Sequence, residues 1–167
     1  EKDIDIYVGT FSKSLGSIGG FVSTKKDIAE YIRHKASAFI FTAALPPASV
    51  AGVLEGLDIL ANDSKRRKRL HENTAFIKRA FFELGIQVNN NLVPIVPIQI
   101  GDEALTLYMN RLLFDDAVFA GVAVSPVVPP LKAMIRTSYT SEHTKKDLDR
   151  ILTSFEKNLK KIGILPQ

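Results

Sequence analysis

Gly9-Thr10-Phe11-Ser12-Lys13-Ser14-Leu15-Gly16, followed by Gly19-Gly20-Phe21-Val22, is the stretch on which the rest of the chain turns. Before it, apolar Ile4, Ile6 and Val8 alternate with Asp5 and Tyr7, the two-residue period of a strand. The loop is therefore expected to leave the C-terminal end of a strand, where open α/β sheets keep their ligands. Its hydroxyls and backbone N–H groups suit an anion, and its lysine stands among them as an amine able to form a Schiff base. Two other motifs do not fit. A Walker-type loop has glycine directly before the lysine, and Ser12 stands there; a Ser-x-x-Lys acylation motif needs serine where Thr10 stands. On these residues alone, a plain Gly/Ser turn with a solvated lysine competes with a catalytic loop.

Three separated segments lift the loop above that reading. Thr10-Phe11-Ser12-Lys13-Ser14-Leu15-Gly16 with Gly19-Gly20, then Phe41-Thr42-Ala43-Ala44-Leu45-Pro46-Pro47, then Pro126-Val127-Val128-Pro129-Pro130 with Ile135-Arg136-Thr137 and His143-Thr144 follow one another in the chain. Together they resemble the α-oxoamine synthases, a family of fold type I enzymes dependent on pyridoxal 5'-phosphate (PLP) that includes serine palmitoyltransferase, 8-amino-7-oxononanoate synthase and 2-amino-3-ketobutyrate CoA ligase. The resemblance implies an α/β fold: the C-terminal part of a fold type I transferase, with the end of the large-domain sheet in residues 1–62 and a small α/β domain in 63–167. It implies that Lys13 carries PLP covalently and later moves the α-proton. Thr10 and Ser12, with Thr42 contributed across a homodimer, would hold the phosphate, and Arg136 the carboxylate of an amino acid substrate. The implied reaction condenses that amino acid with an acyl-CoA, with loss of carbon dioxide, to an α-amino ketone. Two departures stand out. Ser125 or its neighbours occupy a place where some members carry an additional arginine, and Leu131 stands where a glycine is common.

Composition is compatible with this. The chain has 167 residues, 46% of them hydrophobic, and a net charge of +4. Such a balance favours anionic ligands such as phosphate or acyl-CoA over any particular nucleic-acid reading. With no cysteine and only His34, His71 and His143, neither disulfides nor a metal centre are expected. No apolar run reaches membrane-spanning length and the first residues have no signal-peptide character, so a cytoplasmic location is expected. The family's ring-pairing aspartate and stacking histidine are expected upstream of Glu1, so this stretch reads as the C-terminal part of a longer protein and is not expected to be a competent synthase alone.

In chain order, the patterns predict a strand at Gly19 to Ser23, then a helix from Lys25 to Ala36 with Thr24 as cap. A further helix spans Ser49 to Ala61, with Val50, Val53, Leu54, Leu57 and Leu60 as a buried stripe. A long helix from Lys65 to Leu84 ends at Gly85. Its basic run, Lys65-Arg66-Arg67-Lys68-Arg69, points all round the helix and has no aromatic platform, so nucleic acid is not the expected partner. Strands are predicted at Ile86 to Val88, Ile95 to Ile100, Val118 to Val124 and Met134 to Tyr139. Helices are predicted from Glu103 to Phe114 and from Lys145 to Lys161. The proline-flanked Val127-Val128 pair is expected to be extended. Arg136, between Ile135 and Thr137 of a strand, projects alone from one face, where a guanidinium can hold a carboxylate through two parallel bonds. His143 is given a capping or packing role. A non-catalytic interaction or folding unit is the other function class open to this sequence.

Overall fold

The computed structural model describes residues 3–166, which form two compact units divided between Ser64 and Lys65. In the first, strand β1 (Ile6–Thr10) pairs antiparallel with β2 (Gly20–Thr24), setting Val8 opposite Val22 and Gly9 opposite Phe21. Three helices follow: α1 (Lys26–Lys35), α2 (Ser37–Ile40) and α3 (Pro47–Asn62). Thr24 does not cap α1. Its hydroxyl donates instead to the carbonyl of Asp5 at 2.7 Å, tying the start of the chain to the end of β2, and Lys25 occupies the cap position without a side-chain bond. Helix α3 opens on Pro47, where a missing N–H costs nothing. Its apolar stripe is present but is not the buried one the spacing suggested: Val53 is buried, whereas Leu54 is 62% exposed and Leu57 and Leu60 are exposed as well. Periodicity identifies residues that share a face, but does not supply the element that covers it.

The second unit has a core of its own. Helix α4 (Ser64–Glu83) precedes a three-stranded antiparallel sheet of order β3-β5-β4, made of β3 (Ile95–Gly101), β4 (Gly121–Ala123) and β5 (Ala133–Ser138). Helices α5 (Glu103–Asp115) and α6 (Lys145–Lys161) complete it. One sheet face contributes Val96, Ile98 and Ile135 to a cluster with Ile77 and Phe81 of α4, Met109 and Leu113 of α5, and Leu148, Phe155 and Leu159 of α6. Phe81 and Phe155 meet edge to face at 5.2 Å, the arrangement favoured by the charge distribution of aromatic rings. None of the described helices is long and apolar enough to cross a membrane.

Two expected strands give way to helix caps. Gly85, at φ +85°, ends α4, and the Ile86 N–H bonds back to the Phe81 carbonyl at 3.0 Å. The end of α5 repeats the device: Ala117 takes φ +56° and the Val118 N–H reaches the Leu113 carbonyl at 2.8 Å. In both places the amide that would start a strand ladder satisfies an orphan helix carbonyl instead. Residues 86–88 accordingly form no strand, and β4 is limited to Gly121–Ala123.

Candidate functional site

The loop between β1 and β2 is closed by backbone bonds at both depths. Phe11 N–H donates to the Gly19 carbonyl at 2.9 Å, Ser17 N–H to the Phe11 carbonyl at 2.9 Å, and Gly16 N–H to the Lys13 carbonyl at 3.0 Å. Gly20 permits the close approach of the two strands, since a Cβ there would stand 2.4 Å from the Gly9 carbonyl oxygen. The aromatic rings of Phe11 and Phe21 stack at 5.8 Å beneath the turn.

On this loop Thr10, Ser12 and Lys13 come together. The Thr10 and Ser12 hydroxyl oxygens lie 2.9 Å apart, the Ser12 N–H donates to Thr10 Oγ1 at 3.3 Å, and Thr10 Oγ1 donates to the Gly19 carbonyl at 3.3 Å. Lys13 is exposed, and its ammonium makes no hydrogen bond or ion pair among the described residues. Two adjoining hydroxyls and, next in the chain, an uncommitted amine are the kinds of group that a phosphorylated aldehyde requires: short polar groups for the phosphate and a nucleophile for the carbonyl carbon. Thr42 follows α2 in the same unit, and its hydroxyl donates to the Ala38 carbonyl, which leaves its oxygen lone pairs as acceptors.

Arg136 belongs to the second unit. It lies on the central strand β5, with Pro97 of β3 and Gly121 of β4 as its cross-strand neighbours. Ile135 and Thr137 are buried on the opposite face while Arg136 is exposed, as strand alternation demands. Its guanidinium has no ion pair among the described residues. His143 takes a packing role: its Nδ1 accepts from the Thr140 N–H at 3.0 Å and its ring meets Tyr139 at 6.0 Å. The helix cap belongs to Thr144, which forms a reciprocal capping box with Asp147.

The segment between β4 and β5 departs from the expected extended course. Val127 N–H donates to the Val124 carbonyl at 2.9 Å and Lys132 N–H to the Pro129 carbonyl at 3.1 Å, so the prolines serve two successive turns. A fixed proline φ suits a turn as readily as an extended strand. Glu103, in the first turn of α5, anchors this segment by accepting the Ser125 N–H on Oε1 at 3.1 Å. The sequence reading missed Glu103: the two residues are 22 positions apart, and no local spacing connects them.

Comparison with known proteins places these features in context. The family model for class I and II aminotransferases matches residues 1–155. The chain is 40% identical over 162 residues to the 8-amino-7-oxononanoate synthase of Thermoanaerobacter pseudethanolicus, covering 97% of this chain and 41% of that protein. It is 41% identical over 165 residues to the serine palmitoyltransferase of Bacteriovorax stolpii, covering 99% and 39%. A high-resolution structure of serine palmitoyltransferase (SPT) with a PLP internal aldimine superposes with a TM-score of 0.90 at 29% identity, over 97% of this chain and 41% of that one. The chain thus spans about two-fifths of the length of the curated relatives it matches.

Proposed function

This chain belongs to the class I and II aminotransferase family and, within it, to the α-oxoamine synthases, and from that premise we propose that the whole protein is a PLP-dependent C-acyltransferase. It condenses an amino acid with an acyl-CoA, with decarboxylation, to an α-amino ketone, as a cytoplasmic homodimer. The acyl chemistry is that of serine palmitoyltransferase or of 8-amino-7-oxononanoate synthase, the two kinds of relative matched at about equal identity. The observation that carries this reading is the pairing of the Thr10 and Ser12 hydroxyls at 2.9 Å on the loop that also carries the uncommitted Lys13 amine.

In this reading Lys13 bonds the coenzyme's aldehyde carbon. The hydroxyls of Thr10 and Ser12 would hold its phosphate, with Thr42 of the partner subunit, Thr10 and Thr42 by turning their O–H groups from the Gly19 and Ala38 carbonyls to the phosphate oxygens. When bound, PLP supplies an electron sink for the charge left at the substrate α-carbon. Arg136 offers two parallel N–H donors to the substrate carboxylate and so fixes which α-bond is presented for cleavage. The Lys13 amine would also serve as the general base that takes up the α-proton. The turn around Lys13 is held by backbone bonds and by the Thr10 hydroxyl, with no bond from the Lys13 amine, so this amine can exchange roles without disturbing the loop that positions it.

The test is spectroscopic. The full-length protein loaded with PLP is expected to absorb in the visible and to bleach with borohydride, which fixes the coenzyme to Lys13. Lys13→Ala is expected to abolish both the covalent label and turnover. A variant that kept its colour and its product formation would overturn the assignment.

A further inference from the structure

We propose that the groove between α4 and the segment 88–92 is a binding site for an anionic amphiphile, a carboxylate carrying a hydrocarbon chain. The groove has a volume of about 430 Å³, within the range of small-molecule sites, and lies wholly inside the second unit. Lys78 forms its floor. This side chain is buried, and its ammonium donates to Asn89 Oδ1 at 3.1 Å, to the Asn91 carbonyl at 2.6 Å and to Asn91 Oδ1 at 2.9 Å. All three acceptors are neutral. They use all three of its N–H donors, so Lys78 brings charge to the groove but no free donor; no carboxylate lines the groove, and neither Lys78 nor Arg79 has an ion pair among the described residues.

Arg79 is the other cation of the lining. His71 and Arg79 stand at the rim, two helical turns apart on the exposed flank of α4, so the groove gathers positive charge and nothing to balance it. Its remaining walls are apolar: Val88 lies within, while Phe82, 71% exposed, and Leu92, 77% exposed, flank the opening. A compact inorganic anion would leave those two side chains in water, and an uncharged hydrocarbon would leave the cations uncompensated. An occupant that satisfies both carries an anionic head and an apolar chain.

Calorimetric titration of the full-length, PLP-loaded protein with octanoate, 1-octanol and inorganic phosphate tests this. Octanoate is expected to bind about tenfold or more tightly than either of the other two, and Arg79→Glu and His71→Glu are each expected to weaken it about tenfold. Both positions are exposed, so far-ultraviolet circular dichroism and the melting temperature report that the fold is kept. Absence of octanoate binding, equal binding of 1-octanol or phosphate, or unchanged affinity in both variants would overturn the site. None of these outcomes depends on whether the synthase reading is correct.

Discussion

Leu131 and Ala117 hold left-handed backbone, at φ +61° and +56°, where a residue with a β-carbon is disfavoured by roughly 1–2 kcal/mol. Leu131 is the residue that replaces a glycine common in the family, and the structure shows why glycine suits the place. Its side chain is 74% exposed and gains little contact in return. Gly101, itself at φ +98°, packs so that an added Cβ would come 3.5 Å from the Leu131 carbonyl oxygen. Leu131→Gly is therefore expected to stabilise the protein by about 0.5–1 kcal/mol, the relief of strain being partly offset by the greater freedom of glycine in the unfolded chain. Urea denaturation would show a raised midpoint with an unchanged slope. The same reasoning at Lys13 gives the opposite emphasis: Gly16 and Gly19 of its loop take the positive φ values, at +58° and +87°, so the residue proposed to carry the coenzyme is itself free of that strain.

At the scale of elements, the junction of α5 with α6 is governed by one carboxylate. Asp116, the residue that ends α5, accepts from Lys157 Nζ, Ser154 Oγ and Asn158 Nδ2, each at 2.8 Å. The Arg150 guanidinium adds a bond to the Asp116 backbone carbonyl at 2.9 Å. The bonds from Lys157, Ser154 and Asn158 hold the Asp116 carboxyl down to about 2, well below its ordinary value. A carboxylate with a depressed folded-state pKa contributes stability that is complete above its unfolded pKa and disappears as pH falls through the folded one. Acid titration of thermal stability is thus expected to show a loss between about pH 4 and about pH 2 that Asp116→Asn largely flattens. The capping box at Thr144 acts at the other end of α6, so the helix is pinned at its first turn by local sequence and along its length by a distant residue.

At the scale of the whole molecule, the two units differ in how much they bury. Residues 65–167 enclose a cluster in which Ile77, Phe81, Met109, Leu113, Phe155 and Leu159 are fully inaccessible. Among the described residues of 1–64, only Val53 is buried. Hydrophobic burial dominates folding free energy, so a fragment of residues 65–167 is expected to unfold cooperatively and one of residues 1–64 is not, as monitored by circular dichroism during heating. The sequence by itself determined the polar loop around Lys13, the lone projection of Arg136 and the long helices with their apolar faces. These follow from residue chemistry and from periods of two and 3.6 residues, which are properties of short stretches. Only the tertiary structure decided that Ile86 and Val118 cap helices instead of opening strands, and that Val127 lies in a turn. It alone brought Glu103 to Ser125, left the α3 stripe exposed and set Lys78 among neutral acceptors. At Ile86, Val118 and Val127 the competition is between a nearby carbonyl and a strand ladder; at the others it turns on which distant group reaches a given N–H, charge or apolar face first, and the packing of the chain settles it.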